Sequence, residues 1–343
     1  MASIDEGRPG QSNINWECTG VRILLIPKVG DDVLEIGRKL LPEGYTLITG
    51  DAREGGAALA EKAKDCDAII GFIFKLPPEV WEVASGRVKL IHTLSAGYDE
   101  IELDKARESG IPVCTNGGAN AISVAEHTIM LMLAMYRRLP DLVAMTRSGS
   151  WRKMMGESRY YELAGKTVGI VGMGRIGQEV AKRLKNWSTT IVYYDVFRRS
   201  ASEEAALDLS FRPLDDVFSE ADVVTLHTPL MAETADLVNR ERLNRMKRTA
   251  VLVNAARGGL VDEEALIEAL NEGKILGAAL DTLKEEPPPS DHPLMHHPNT
   301  IITPHVAGPT WDSWPRRFAN AYENCGRIAR GEKPLWIVPE LLG

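Results

Sequence analysis

Short apolar runs rich in β-branched residues recur along the chain, each followed by a stretch with apolar positions at helical spacing. The runs over 21–26, 45–49, 68–74, 90–94 and 113–115 read as buried parallel strands. Between them, 33–41, 57–64, 78–84 and 104–109 read as helices. Strands and helices alternating at this interval imply a parallel sheet covered on both faces. A long, nearly uninterrupted helical pattern follows over 121–138, apolar on most faces. Such a helix must be covered on all sides, by a domain junction or by a partner subunit. Residues 141–149 continue as helix and 151–163 as an irregular connection. The alternation then resumes, with strands expected over 168–171, 191–194, 223–226, 250–254, 277–280 and 300–303, six in all. A helix over 263–271 closes at Gly273, and 313–330 forms a final amphipathic helix. The polar residues 1–19 read as a loose tail.

The second set of strands opens with Val168-Gly169-Ile170-Val171-Gly172-Met173-Gly174-Arg175-Ile176-Gly177. Strand, glycine turn and helix in that order are the context a dinucleotide fingerprint requires. Gly172 permits the tight turn, Gly174 lets a pyrophosphate reach the backbone, and Gly177 lets the helix pack on the strand. The helix N-terminus offers free N–H groups to phosphate. Asp195, at the end of the second strand, stands at the spacing expected of the acid that binds ribose hydroxyls. A carboxylate there favours NAD over NADP. Arg198 and Arg199 just downstream are either loop charges or a means of accommodating a 2′-phosphate.

A length of 343 residues is enough for two such domains. The 48 acidic against 40 basic residues, net −8, argue against nucleic acid as the partner. Cys18, Cys66, Cys114 and Cys325 lie far apart, without metal-ligand spacing, and read as reduced thiols of a cytoplasmic protein. No membrane span, secretory leader or metal site is expected.

Three further segments fall just past expected strand ends, where a doubly wound sheet places its chemistry. In Asn254-Ala255-Ala256-Arg257-Gly258-Gly259, an arginine leaves a strand tip beside two glycines. Asp281-Thr282-Leu283-Lys284-Glu285-Glu286-Pro287 carries acids at the strand end and before a proline. Thr303-Pro304-His305-Val306-Ala307-Gly308 sets a histidine among small residues. Reduction of a ketone by hydride needs a cation for a neighbouring carboxylate and the carbonyl, a proton donor, and an anion to keep that donor charged. Arginine, histidine and glutamate suit these roles in turn.

With these segments in view, the chain resembles the NAD-dependent D-isomer-specific 2-hydroxyacid dehydrogenase family over roughly 68–310, in the manner of glyoxylate and hydroxypyruvate reductases. Besides the glycine run, the matches include Ser95-Ala96-Gly97-Tyr98-Asp99 and the segment from Asn116 through Glu126-His127. The resemblance implies two doubly wound α/β domains, a Rossmann domain (121–310) inserted into a smaller flavodoxin-like substrate domain (1–120 and 311–343). It implies that Arg257 binds the substrate carboxylate and carbonyl, and that His305, paired with Glu286 rather than Glu285, is the acid/base. Ser95, Ala96, Gly97 and Tyr98 would grip the carboxylate of a small 2-oxo acid lying between the domains. The cofactor would be held by Gly172, Gly174, Arg175, Ile176, Gly177, Asp195, Thr228, Pro229, Ala255, Arg257, Asp281, His305 and Gly308, with Asp281 on the nicotinamide amide. The long helix would form most of a homodimer interface. Departures from the family pattern are Leu283, where an aromatic is common, and Pro309-Thr310-Trp311, so Trp311 and Trp314 either shape an unusual pocket or pack at the hinge. Lys75 either supplies a substrate-side charge or faces water. Rival readings are a 3-phosphoglycerate dehydrogenase and an NAD-responsive scaffold like the C-terminal-binding co-repressors.

Overall fold

The computed structural model describes residues 20–27, 29–72, 75–151 and 159–342. They divide into two compact units, one comprising the chain up to Gly117 and from Trp314 onward, the other Gly118–Ser313. The tail expected over 1–19, with Cys18, and part of the connection expected over 151–163 lie outside the described residues.

The first unit holds five parallel strands: β1 (Arg22–Ile26), β2 (Thr46–Thr49), β3 (Ala68–Gly71), β4 (Leu90–Thr93) and β5 (Val113–Cys114). Their order is β2-β1-β3-β4-β5, the flavodoxin-like arrangement. Both faces are covered, which is why the runs are apolar at odd and even positions alike. Leu24, Ile26, Ile69 and Ile91 pack on Leu59, Val80 and Trp81. Ile23, Leu25, Ile70 and Leu90 pack on Phe318, Tyr322 and Cys325 of the last long helix, Ser313–Ala329. The strand expected through 74 ends at Gly71, where a Cβ would collide with the Ile26 carbonyl at 1.5 Å.

The second unit has seven parallel strands rather than the six expected: β6 (Thr167–Val171), β7 (Thr190–Tyr194), β8 (Leu209–Phe211), β9 (Val223–Leu226), β10 (Val251–Asn254), β11 (Gly277–Leu280) and β12 (Thr300–Ile302). The extra strand, β8, is three residues at the sheet edge, too short to carry a readable alternation. The order β12-β11-β10-β9-β6-β7-β8 reverses direction at β6, so the crevice beyond β6 and β9 is the topological switch point.

The helix Ala121–Tyr136 lays Ala125, Ile129, Met132 and Met135 against Val168, Ile170, Val180 and Ala181 of its own unit. Much of its all-round apolarity is therefore used within the second unit. Ile122 and Met130 stay exposed at 41% and 45%, and Leu139 and Val143 of the next helix, Leu139–Arg147, are exposed too.

Candidate active site

The glycine turn behaves as its spacing requires. Gly172 has φ +95°, and a Cβ there would stand 2.6 Å from the His227 carbonyl carbon, so only glycine fits without strain. A Cβ on Gly177 would stand 2.2 Å from the Gly172 carbonyl oxygen. Gly174 caps the helix Arg175–Leu184 without a side-chain cap, and a Cβ there would meet nothing within 4 Å. The backbone is thus open where a pyrophosphate would approach, with Arg175 and Ile176 in the first turn. Thr228, which follows His227, lies against Gly172, and Pro229 after it is exposed.

Asp195 follows β7 and is fixed by two backbone donors, Met173 N–H to Oδ2 at 2.7 Å and Phe197 N–H to Oδ1 at 3.0 Å. Each carboxylate oxygen keeps a lone pair for a ribose hydroxyl. Arg198 is forked onto Glu204 at 2.9 and 3.0 Å and lies over the Phe211 ring, while Arg199 faces Glu203 at 3.7 Å. Both cations already face carboxylates, as loop charges do. The donor set at this turn fits NAD.

At the tip of β10, buried Asn254 brackets the turn that carries Ala255 and Arg257. Its amide donates to the Arg257 carbonyl at 2.8 Å and its carbonyl accepts from Ala256 N–H at 3.0 Å. A Cβ on Gly258 would lie 2.0 Å from the Leu283 carbonyl carbon, so this glycine brings the arginine turn against the loop after β11. Asp262, downstream in the same motif, caps the helix Glu263–Asn271 by accepting from Ala265 N–H.

Asp281 is 1% exposed, and donors crowd its carboxylate. Thr303 Oγ1 donates to Oδ1 at 2.5 Å, Val306 N–H to Oδ1 at 3.0 Å and Ala307 N–H to Oδ2 at 2.8 Å. His127, on the long helix, reaches Thr303 Oγ1 at 3.0 Å and Asp281 Oδ1 at 3.4 Å. Burial pushes the Asp281 carboxyl up, but the donors outweigh it and hold it below its ordinary range. The residue therefore moulds the turn 303–307.

On that turn His305 adopts φ +52°, a conformation costly for any residue but glycine. Its own N–H donates to the Asp281 carbonyl at 2.8 Å. The imidazole Nδ1 meets Glu286 Oε2 at 2.6 Å, and Glu286 Oε1 accepts from Leu283 N–H at 3.1 Å. A carboxylate on Nδ1 orients the ring and leaves Nε2 for a substrate. The pair is partly exposed, at 48% and 36%, so it is open to a ligand. Gly308 accepts from Thr310 N–H and Ser313 Oγ, shaping the return of the chain. Trp311 is 61% exposed in this unit, whereas Trp314 is buried in the first unit against Phe72 and Phe318. Lys75 is exposed.

In the first unit, the loop after β4 presents bare backbone. Among the described residues, the N–H groups of Ser95, Ala96, Gly97 and Tyr98 donate to no other group. Two of the carbonyls between them are engaged: Ser95 O accepts from Thr93 Oγ1 at 2.6 Å and Asn116 N–H at 3.1 Å, and Gly97 O accepts from Ser95 Oγ at 3.0 Å. Amides without a protein acceptor are available to an anion. The Tyr98 hydroxyl is taken by Glu340; burial, with that carboxylate, pushes it up to about 12. Asn254, His127 and Thr303 were not among the expected site residues, though a polar residue closing the apolar run before Ala255 is a visible signal for Asn254.

The model of the D-isomer specific 2-hydroxyacid dehydrogenase NAD binding domain matches residues 129–307. Glyoxylate reductase of Thermofilum pendens is 38% identical over 312 residues, covering 89% of this chain and 91% of that protein. D-3-phosphoglycerate dehydrogenase of Methanocaldococcus jannaschii is also 38% identical, but this chain spans only 58% of it. Among solved structures, D-lactate dehydrogenase with NAD+ from Lactobacillus jensenii aligns with a TM-score of 0.77 at 28% identity, covering 93% of this chain and 99% of that one. The chain belongs to the D-isomer specific 2-hydroxyacid dehydrogenase family. It is an NAD-dependent oxidoreductase acting on 2-hydroxy acids.

Proposed function

We propose that the chain reduces a small 2-oxo acid of the glyoxylate or hydroxypyruvate kind, with His305 and Glu286 as the acid/base pair. The observation that carries this reading is the 2.6 Å contact between His305 Nδ1 and Glu286 Oε2 on an accessible strand-end turn. Bound NADH supplies the hydride. Arg257 holds the substrate carboxylate bidentately and polarises the carbonyl. The loop amides from Ser95 to Tyr98 are the carboxylate donors of the first unit. His305, protonated and oriented by Glu286, gives its Nε2 proton to the forming alkoxide; in oxidation neutral His305 takes that proton back. Gly172, Gly174, Arg175, Ile176 and Gly177 hold the pyrophosphate, Asp195 the adenine-side ribose, and Thr228 and Pro229 border the adenine side. Ala255, Asp281 and Gly308 line the nicotinamide end.

Assembly as a cytoplasmic homodimer is part of the same proposal. The exposed apolar row Ile122, Met130, Leu139 and Val143 supports self-association. Among the described residues no helix is long and apolar enough to cross a membrane. A 3-phosphoglycerate dehydrogenase remains the second reading, favoured by the 38% identity to that enzyme.

A panel of 2-oxo acids, including glyoxylate, hydroxypyruvate and 3-phosphohydroxypyruvate, assayed with NADH and NADPH tests these readings. The proposal expects the highest kcat/KM for a two- or three-carbon unphosphorylated acid with NADH. The highest value for the phosphorylated acid would transfer the assignment to the second reading. Strong NADPH preference would overturn the role given to Asp195.

A further inference from the structure

The helix Ser313–Ala329 turns an apolar face made of Trp314, Phe318, Ala321, Tyr322 and Cys325 into the first unit. Arg317 sits on the same face and is 1% exposed. Removing a guanidinium from water is costly, and an apolar side chain would fill this space without that cost. Its surroundings show what it does there. Arg317 stacks at 5.3 Å from the Trp314 ring and 5.9 Å from that of Phe72, and its Nη1 donates to the Leu94 carbonyl. Asn116 Nδ2 approaches the same carbonyl at 3.4 Å, and Asn320, one helical turn beyond Arg317, donates to Asn116 O at 2.7 Å. One helix face thus braces the loop after β4 from beneath.

The rigidity of the peptide group carries the consequence. In a trans peptide the C=O and the following N–H point in opposite directions. A Leu94 carbonyl turned inward to Arg317 sends the Ser95 N–H outward. The inward Ser95 and Gly97 carbonyls do the same for Ala96 and Tyr98. We propose that Arg317 is a positioning residue for substrate binding: by holding the Leu94 carbonyl it keeps the loop amides turned toward the carboxylate of the 2-oxo acid and sets a positive charge behind them. The inference rests on the reading that this loop binds that carboxylate. Burial, together with neighbouring Arg316, pulls the guanidinium down to about 10, so it stays charged at neutral pH.

Oxamate, a small carboxylate isostere of a 2-oxo acid, is the probe, read as its Ki against glyoxylate reduction at saturating NADH. NADH affinity, followed by cofactor fluorescence, serves as the control. In Arg317→Met the oxamate Ki and the glyoxylate KM should rise about ten-fold or more, as for loss of a charged hydrogen bond, while kcat and NADH affinity change little. Arg317→Lys keeps the charge but loses the planar fork, and should give a smaller rise. An unchanged Ki in Arg317→Met overturns the proposal; if that variant does not fold, an unchanged Ki in Arg317→Lys does so. Gly97→Pro removes one loop amide and tests the underlying reading separately. A raised Ki there with none in the Arg317 variants would sink only the role of Arg317. An unchanged Ki in Gly97→Pro would sink the loop reading and the inference together.

Discussion

The loop after β4 and the turn bearing His305 both project beyond strand ends, yet they are built in opposite ways. At His305 the groups proposed to act are side chains, with Nδ1 locked to Glu286 at 2.6 Å and the backbone held at φ +52° by bonds to Asp281. After β4 the groups proposed to act are backbone amides that donate to no other group among the described residues, and the Thr93 and Ser95 hydroxyls bond carbonyls beside them. A proton-transfer group needs one fixed atom with a tuned partner. A carboxylate grip needs several donors converging, which a rigid loop supplies without any titratable group. Changes at the first should therefore appear in kcat, and changes at the second in substrate affinity alone.

The largest effect that would break this division is at His305. In His305→Ala, kcat for glyoxylate reduction should fall by about 10²–10⁴-fold, the usual contribution of a positioned general acid. NADH affinity should hold. An equal loss of cofactor binding would mean that the turn serves the nucleotide rather than the proton.

Asp281→Asn should have the next largest effect. The Asn amide would turn donors toward N–H groups that now donate to Asp281, at a cost of about 1–3 kcal/mol for each bond left unmade. Thermal stability and kcat should drop together, because the same bonds hold His305. The pH dependence has a definite sign. A carboxyl depressed in the fold adds stability above its unfolded value and loses it as pH falls through the folded value. The native chain should therefore lose stability in acid more steeply than Asp281→Asn does. Parallel melting curves from neutral to acid pH would show that the carboxylate charge is not what holds the turn.

A smaller effect is expected of Glu286→Gln, about ten-fold in kcat. Without a carboxylate on Nδ1 the ring is oriented less tightly, so kcat should fall while the glyoxylate KM and NADH affinity hold. An unchanged kcat would separate Glu286 from the proton step and leave it as a structural ligand of Leu283 N–H.

The same contrast explains what was legible in the sequence. Gly172, Asp195, Arg257 and His305 announce themselves by local punctuation, a glycine, acid, arginine or histidine close after an apolar run, whereas Glu286 was chosen over Glu285 through the resemblance. The positions of the strands from β6 onward were equally readable, apart from the three-residue edge strand β8. What was hidden depends on contacts distant in sequence. Arg317 meets Leu94 from 223 positions away and His127 meets Thr303 from 176, and no local pattern records either. The loop amides from Ser95 to Tyr98 were reached only through resemblance, because a backbone donor has no side chain to mark it.

The smallest effect also distinguishes the two regions most cleanly. Cys66, Cys114 and Cys325 are fully buried and all belong to the first unit. Burial pushes the Cys66 thiol up to about 11 and Cys114 up to about 12, and raises Cys325 as well, so none offers thiolate at neutral pH. Alkylation at these three sites, followed by mass spectrometry, must then wait for the first unit to open, and its rate reports that opening alone. The native chain should show slow labelling. Asp281→Asn, whose damage lies in the second unit, should label at the native rate, while Arg317→Met should label faster because its bond to Leu94 is lost. Equal acceleration in both variants would mean that the two units open as one, and the separation between a side-chain site and a backbone site would then be chemical but not mechanical.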